Sequence, residues 1–70
     1  MRSTDNKIGE RLRGLREDRG QSKRYVAKSV GMSYRAICAY EYGERIPNDT
    51  AKVKLAKHFE VPVESIFFAE

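Results

Sequence analysis

The chain has few of the residues on which disulfide frameworks, metal centres and membrane spans depend. Its 70 residues include one cysteine, Cys38, and one histidine, His58. A lone cysteine cannot form an intrachain disulfide, and one histidine without a second ligand does not predict a metal site. No apolar run approaches the roughly 20 residues needed to cross a membrane, and no signal-peptide core is present. These absences predict a cytoplasmic protein without metal or membrane association.

Catalytic and cofactor-binding patterns are also missing from the sequence. No nucleophile is paired with a base, and no glycine-rich phosphate loop is present. Strand-like alternation, internal repeats and low-complexity segments are absent as well. We therefore expect a non-enzymatic protein with no cofactor and no small-molecule ligand.

The charge that is present is basic and unevenly distributed. The formal net charge is +4, with an excess of +2 in residues 1–19 and +3 in residues 20–47, against −1 in residues 48–70. A basic surface of this kind suits a polyanion, since phosphate contacts supply most non-specific affinity for nucleic acid. An excess of this size is also common in small soluble proteins, so charge alone does not establish nucleic-acid binding.

Residues 23–42, with the sequence KRYVAKSVGMSYRAICAYEY, contain two helical patterns separated by one glycine. Apolar or small residues recur at helical spacing on both sides of Gly31, which gives each segment one buried stripe. Gly31 can adopt a positive φ and end the first helix, and Ser33 can cap the second. Ala27 is small enough for the two helices to approach. The pattern predicts a helix-turn-helix, whose second helix can lie in a DNA major groove.

Three further helices are predicted around this unit, which makes one all-α domain of five short helices over residues 1–70. Helix 1 is expected to reach about Arg19, with residues 1–4 frayed, and Pro62 is expected to open helix 5. The expected N-caps are Thr4 or Asp5, Ser22, Ser33 and Asn48, and the expected helix-ending glycines are Gly20, Gly31 and Gly43.

Four separated segments carry a resemblance to a known family. They are IGERLRGLRE at residues 8–17, the Ala27–Gly31–Ile37 spacing, YEYGERIP at 40–47 and VPVESIFF at 61–68. Together they resemble the helix-turn-helix domain of phage repressors and Cro proteins, the Cro/C1-type or XRE family. The resemblance implies a compact five-helix, lambda-repressor-like fold and a sequence-specific regulator that binds double-stranded DNA, most often as a repressor.

The same resemblance implies which residues contact DNA. It places base contacts at Tyr34, Arg35 and Ala39, all expected on the exposed face of helix 3; an ordinary solvated helix face is the alternative interpretation. Arg35 is the strongest candidate, because a guanidinium can bond guanine O6 and N7, whereas Tyr34 could touch a thymine methyl group or a phosphate. The expected phosphate contacts are Ser22, Lys23, Arg24, Ser33, Tyr42 and Arg45.

Four other positions are interpreted from the family pattern. Arg16 and Glu41 are expected to form an ion pair that joins helix 1 to the end of helix 3. Glu44 is acidic where the family is usually basic, and Lys52 stands where it is usually apolar. Lysine can lay its methylene stem on the core and keep its ammonium in water.

The apolar C-terminal segment, residues 61–70, is the candidate dimerisation region. Val61, Ile66 and Phe67 are expected to cover the core and to leave Val63 and Phe68 at the surface. The expected homodimer interface is Val63, Phe68 and, besides its role in the core, Phe67. Two copies would then place their recognition helices on successive major grooves of a nearly palindromic operator. The alternative function is an antitoxin-like module that docks a protein partner through the same segment.

Overall fold

The computed structural model describes the backbone of residues 3–67 and the side chains of residues 7–67. Within that range the chain forms five helices and no strand, as predicted. They are α1 (Ser3–Asp18), α2 (Lys23–Val30), α3 (Tyr34–Tyr42), α4 (Asp49–Phe59) and α5 (Val63–Phe67). None of these helices combines the length and the hydrophobicity that crossing a membrane requires.

Side-chain caps begin the three central helices at the expected residues. The Ser22 hydroxyl accepts a hydrogen bond from the Tyr25 amide at 3.0 Å, and the Ser33 hydroxyl accepts one from the Ala36 amide at 3.0 Å. Asn48 Oδ1 accepts the Ala51 amide at 2.9 Å. Each cap satisfies one of the free N–H groups at a helix start, which fixes where α2, α3 and α4 begin.

The start of α1 differs from the expectation. The helix already includes Ser3, so Thr4 and Asp5 lie inside it and do not cap it, and residues 3 and 4 are helical instead of frayed. Its end agrees with the sequence, since Gly20 follows it with a φ of 65° and donates its amide to the Glu17 carbonyl at 3.0 Å. A capping residue flanks the helix that it begins, so the expectation of a cap at Thr4 or Asp5 was wrong.

Each of the five helices packs against two others, and the core lies between them. α1 packs on α3 and α5, α2 packs on α3 and α4, and α4 packs on α5. The largest fully buried side chains are Val26, Leu55, Phe59 and Ile66. Lys52 lies at the edge of this core, where its ammonium is 5.7 Å from the centre of the Phe67 ring. Lys52 is thus partly buried beside an aromatic ring of the core, at the position where an apolar residue was expected.

Gly9 lets α1 lie directly against the end of α3. A methyl group at this position would overlap the carbonyl oxygen of Glu41 and would lie 2.7 Å from that of Tyr40. Both obstacles are backbone atoms, which cannot move aside as the end of a flexible side chain can. The absence of a side chain at residue 9 therefore lets α1 approach α3 this closely.

One arginine of α1 and another directly after it also bind the C-terminal carbonyls of other helices. Arg11 donates to the Ile66 carbonyl at 3.0 Å, and Arg19 donates to the Phe59 carbonyl at 2.8 Å. The last carbonyls of a helix lack intrahelical partners and carry partial negative charge, so cations are favourable there. These contacts tie α1 to the ends of α5 and α4.

Candidate nucleic-acid interface

A tight turn fixes the angle between α2 and α3. Gly31 adopts the left-handed conformation at φ 72°, and the Met32 amide returns to the Ala27 carbonyl at 2.9 Å. Ala27 is 3% exposed and lies where the two helices meet. Because both ends of the turn are hydrogen-bonded, α2 presents α3 to the solvent in one orientation.

The exposed face of α3 carries two of the three expected base-contacting residues. Tyr34 is 41% exposed and begins the helix, and Arg35 beside it is also exposed. Cys38, one turn further along, is half-buried. An aromatic ring and a guanidinium therefore stand together at the N-terminal end of α3, where both can reach an approaching surface.

Ala39 does not share that face, and the expectation that it is exposed is wrong. Its exposure is only 9%. The amides of Glu44 and Arg45 both donate to the Ala39 carbonyl, at 2.9 and 3.3 Å, which closes the C-terminal end of α3. Helical periodicity could not show this burial, because burial depends on the tertiary packing around α3. The Ala39 methyl group has little surface left for contact with a base.

Four of the expected phosphate contacts lie exposed around the N-termini of α2 and α3 and in the loop after α3. They are Ser22, Arg24, Ser33 and Arg45. Both serines accept a backbone amide as N-caps, which leaves each hydroxyl hydrogen available to an external acceptor. The free backbone N–H groups at the N-termini of the two helices also favour an anion.

The other two expected phosphate contacts, Lys23 and Tyr42, form a pair. The ammonium of Lys23 donates to the Tyr42 hydroxyl at 3.2 Å and lies 4.9 Å from the centre of its ring. The pKa of Lys23 is raised, mainly by this hydrogen bond. Because an ammonium can only donate, the tyrosine oxygen is the acceptor and its own hydrogen remains free to donate outward. The ammonium and the phenolic hydrogen can thus both donate to a phosphate oxygen.

Cation–aromatic contacts add a second link between α2 and α3 that the sequence patterns did not indicate. The guanidinium carbon of Arg24 lies 4.3 Å from the centre of the Tyr34 ring. Arg45 makes a longer contact, 5.6 Å, with the ring of the buried Tyr40. The first two residues of α2 therefore touch both the first and the last residue of α3.

Arg16 and Glu41 form a bidentate ion pair joined by two hydrogen bonds. Arg16 Nε lies 2.7 Å from Glu41 Oε2, and Nη2 lies 3.1 Å from Oε1. A third donor, Nη1, binds the Gln21 carbonyl at 2.9 Å. The two side chains are 11% and 2% exposed. The Glu41 hydrogen bonds raise the pKa of Arg16 further above its already high ordinary value.

The expected dimer segment is only partly available at the surface. Phe67 is 8% exposed and belongs to the core, and Val63 is half-buried against that core. Phe68 lies outside the described residues. The expected place of Phe67 in the core is confirmed, and its part in a dimer interface stays a prediction.

A family model described as a helix-turn-helix domain matches residues 7–66. The chain belongs to the helix-turn-helix domain family. The sequence is 36% identical over 55 residues to a Pyrococcus furiosus protein predicted to be an HTH-type transcriptional regulatory protein. That alignment covers 79% of this chain but 18% of the relative, so the chain spans about a fifth of the relative's length.

A solved structure shares the fold of this helix-turn-helix domain over nearly its whole length. It is the restriction-modification controller protein C.AhdI from Aeromonas hydrophila, with a TM-score of 0.87 and 28% identity. The superposition covers 93% of this chain and 98% of the controller. The resemblance to Cro/C1-type domains is confirmed, and family and fold together support a DNA-binding transcription regulator.

Proposed function

We propose that this helix-turn-helix domain binds double-stranded DNA with sequence specificity and regulates transcription. The observation that carries the proposal is the exposed N-terminal end of α3, where Tyr34 and Arg35 stand between the donors of α2 and the loop after α3. A helix held in this way can enter a major groove while the surrounding donors bind the phosphates. The match to a restriction-modification controller supports a regulatory role.

Within this proposal, Arg35 is the main base-reading residue. Its guanidinium can form two hydrogen bonds with guanine O6 and N7, which discriminates against another base by roughly 1–3 kcal/mol. Tyr34 supplies an apolar ring edge beside it. Ala39 has no role as a primary contact because it is only 9% exposed.

The finer part of the proposal is a homodimer that represses transcription by occupying a promoter. Two copies would set their recognition helices about 34 Å apart, which matches two half-sites one helical turn apart. Val63 is the described residue of α5 that supports such an interface, since it is apolar and half-buried. The antitoxin-like alternative needs a broader exposed apolar tail than Ile66 and Phe67 leave, because both are buried.

Selection of bound sites from random duplex DNA tests the proposal directly. We expect an enriched two-fold symmetric motif with half-sites one turn apart, and an Arg35→Ala variant that loses preference at one guanine in each half-site. Lys57→Ala is the matched control, because it removes one exposed cation from α4 and leaves α3 intact. No enrichment by the wild-type protein would refute specific DNA binding, and an enriched single half-site would refute the dimer.

A further inference from the structure

Arg24 and Tyr34 form a pair that joins the first turn of α2 to the first residue of α3. The guanidinium carbon lies 4.3 Å from the ring centre, well inside the range of about 6 Å over which a cation is attracted to an aromatic face. We propose that Arg24 is a positioning residue for base recognition: it holds the Tyr34 ring so that the ring contacts a thymine methyl group. This inference rests on the proposed DNA binding.

Tyr34 needs such support because little else holds its ring. The side chain is 41% exposed and stands on the first turn of α3, outside the core. An exposed side chain on a helix surface populates more than one rotamer, and ordering it on binding reduces affinity. A contact that orders the ring in the free protein reduces that loss. Arg24 therefore acts on recognition through Tyr34.

The thymine methyl group is the feature of DNA that such a ring can distinguish. The guanidinium occupies one side of the ring, which leaves the other side and the edge to meet a base. Among the four bases only thymine presents a methyl group in the major groove, and apolar side chains recognise it there. A held ring at the start of the recognition helix thus predicts a preference for thymine at one position.

The positive charge of Arg24 and its contact with the ring can be separated experimentally. Lysine keeps the charge but lacks the planar group that stacks on an aromatic face. Lys23, the neighbouring cation, contacts Tyr42 instead of Tyr34, so it does not replace Arg24 on this ring. An Arg24→Lys variant should therefore keep most attraction to phosphate and lose the ordering of Tyr34.

The test measures affinity for the selected operator while each thymine in turn is replaced by uracil, which removes only the methyl group. For the wild-type protein we expect weaker binding at one position in each half-site. Tyr34→Ala should abolish this methyl dependence, and Tyr34→Phe should retain it. Arg24→Lys should lower the thymine-to-uracil affinity ratio by about twofold to fivefold, the range expected for a solvent-exposed cation–aromatic contact.

Arg45→Lys is the matched control for this experiment. Arg45 is also an exposed arginine near an aromatic ring, but that ring is the buried Tyr40, at 5.6 Å. Its replacement should leave the methyl dependence unchanged. Full methyl dependence in Arg24→Lys, or no methyl-dependent position in the wild type, would overturn the inference. Failure of the wild-type protein to enrich any duplex would instead refute the proposed function itself.

Discussion

At the scale of single residues, the buried ion pair of Arg16 and Glu41 gives the largest predicted change in stability. Removing one partner of a buried ion pair leaves the other charge without compensation, and Glu41 is only 2% exposed at its side chain. We predict that Arg16→Ala lowers the free energy of unfolding by about 3–5 kcal/mol. Urea denaturation followed by circular dichroism measures this change.

Glu17 offers a matched control for the Arg16 prediction. Its carboxylate also lies near Arg16, at 3.8 Å, but its side chain is 63% exposed. Exposed ion pairs contribute about 0–1 kcal/mol, so Glu17→Ala should change stability by no more than that. Equal losses for Arg16→Ala and Glu17→Ala would show that the buried pair with Glu41 has no special role.

Two glycines of α1 give a second residue-scale prediction, because they differ only in their surroundings. A methyl group on Gly9 would meet the backbone of α3, whereas one on Gly14 would meet nothing within 4 Å. Gly9→Ala should therefore destabilise the domain by about 1–3 kcal/mol through overpacking. Gly14→Ala should stabilise it by roughly 0.5–1 kcal/mol, because alanine loses less backbone freedom in a helix.

Thermal unfolding of both glycine variants checks this contrast. A shift of the melting temperature in the same direction for both would mean that α1 and α3 are not in close backbone contact. Sequence patterns did not indicate the role of Gly9, because a close approach between helices depends on their relative position. The same residue inside an isolated helix would only weaken it.

At the scale of elements, the sequence predicted most helix ends because capping is local. Ser22, Ser33 and Asn48 each bind an amide within their own first turn, and Gly31 and Gly43 carry the positive φ that ends α2 and α3. The burial of Ala39 was not predictable in this way, since burial depends on the tertiary packing around the helix. Sequence therefore predicted where helices begin and end better than it predicted which side chains remain exposed.

Another prediction at the scale of elements concerns the C-terminal end of α4. Glu60 closes this helix in the left-handed conformation, at φ 60°, where a side chain other than glycine's is strained. Glu60→Gly should raise the free energy of unfolding by about 1 kcal/mol. The reverse change, Gly31→Ala at φ 72°, should lower it by a similar amount, because its added methyl group meets no neighbour.

Chemical denaturation of these two variants gives the test. The expected result is opposite signs for Glu60→Gly and Gly31→Ala, since both turns have the same left-handed backbone. A destabilised Glu60→Gly variant would mean that contacts of the Glu60 side chain stabilise the domain by more than its strained backbone destabilises it.

At the scale of the whole molecule, the arrangement of charge connects the fold to its proposed partner. The sequence showed a basic excess before residue 48, and six cations of that region fall into two groups in the structure. Arg11, Arg16 and Arg19 bind protein acceptors and hold the helices together. Lys23, Arg24 and Arg45 surround α3 and make no ion pair among the described residues, so they remain available to an anion. Counting charge along the chain could not separate these two groups.

The three cations that remain available to an anion predict how DNA binding depends on salt concentration. Each neutralised phosphate changes the slope of log K against log salt concentration by about −0.9, so three cations give a slope of about −3 for one protomer. A dimer that uses the same three cations twice should give about −5, and Lys23→Gln should reduce the magnitude by about 2 because it removes one contact from each copy. Titration of the selected operator at several salt concentrations measures these slopes. A wild-type slope near −3 would favour a monomer on one half-site, and an unchanged slope in Lys23→Gln would remove Lys23 from the phosphate contacts.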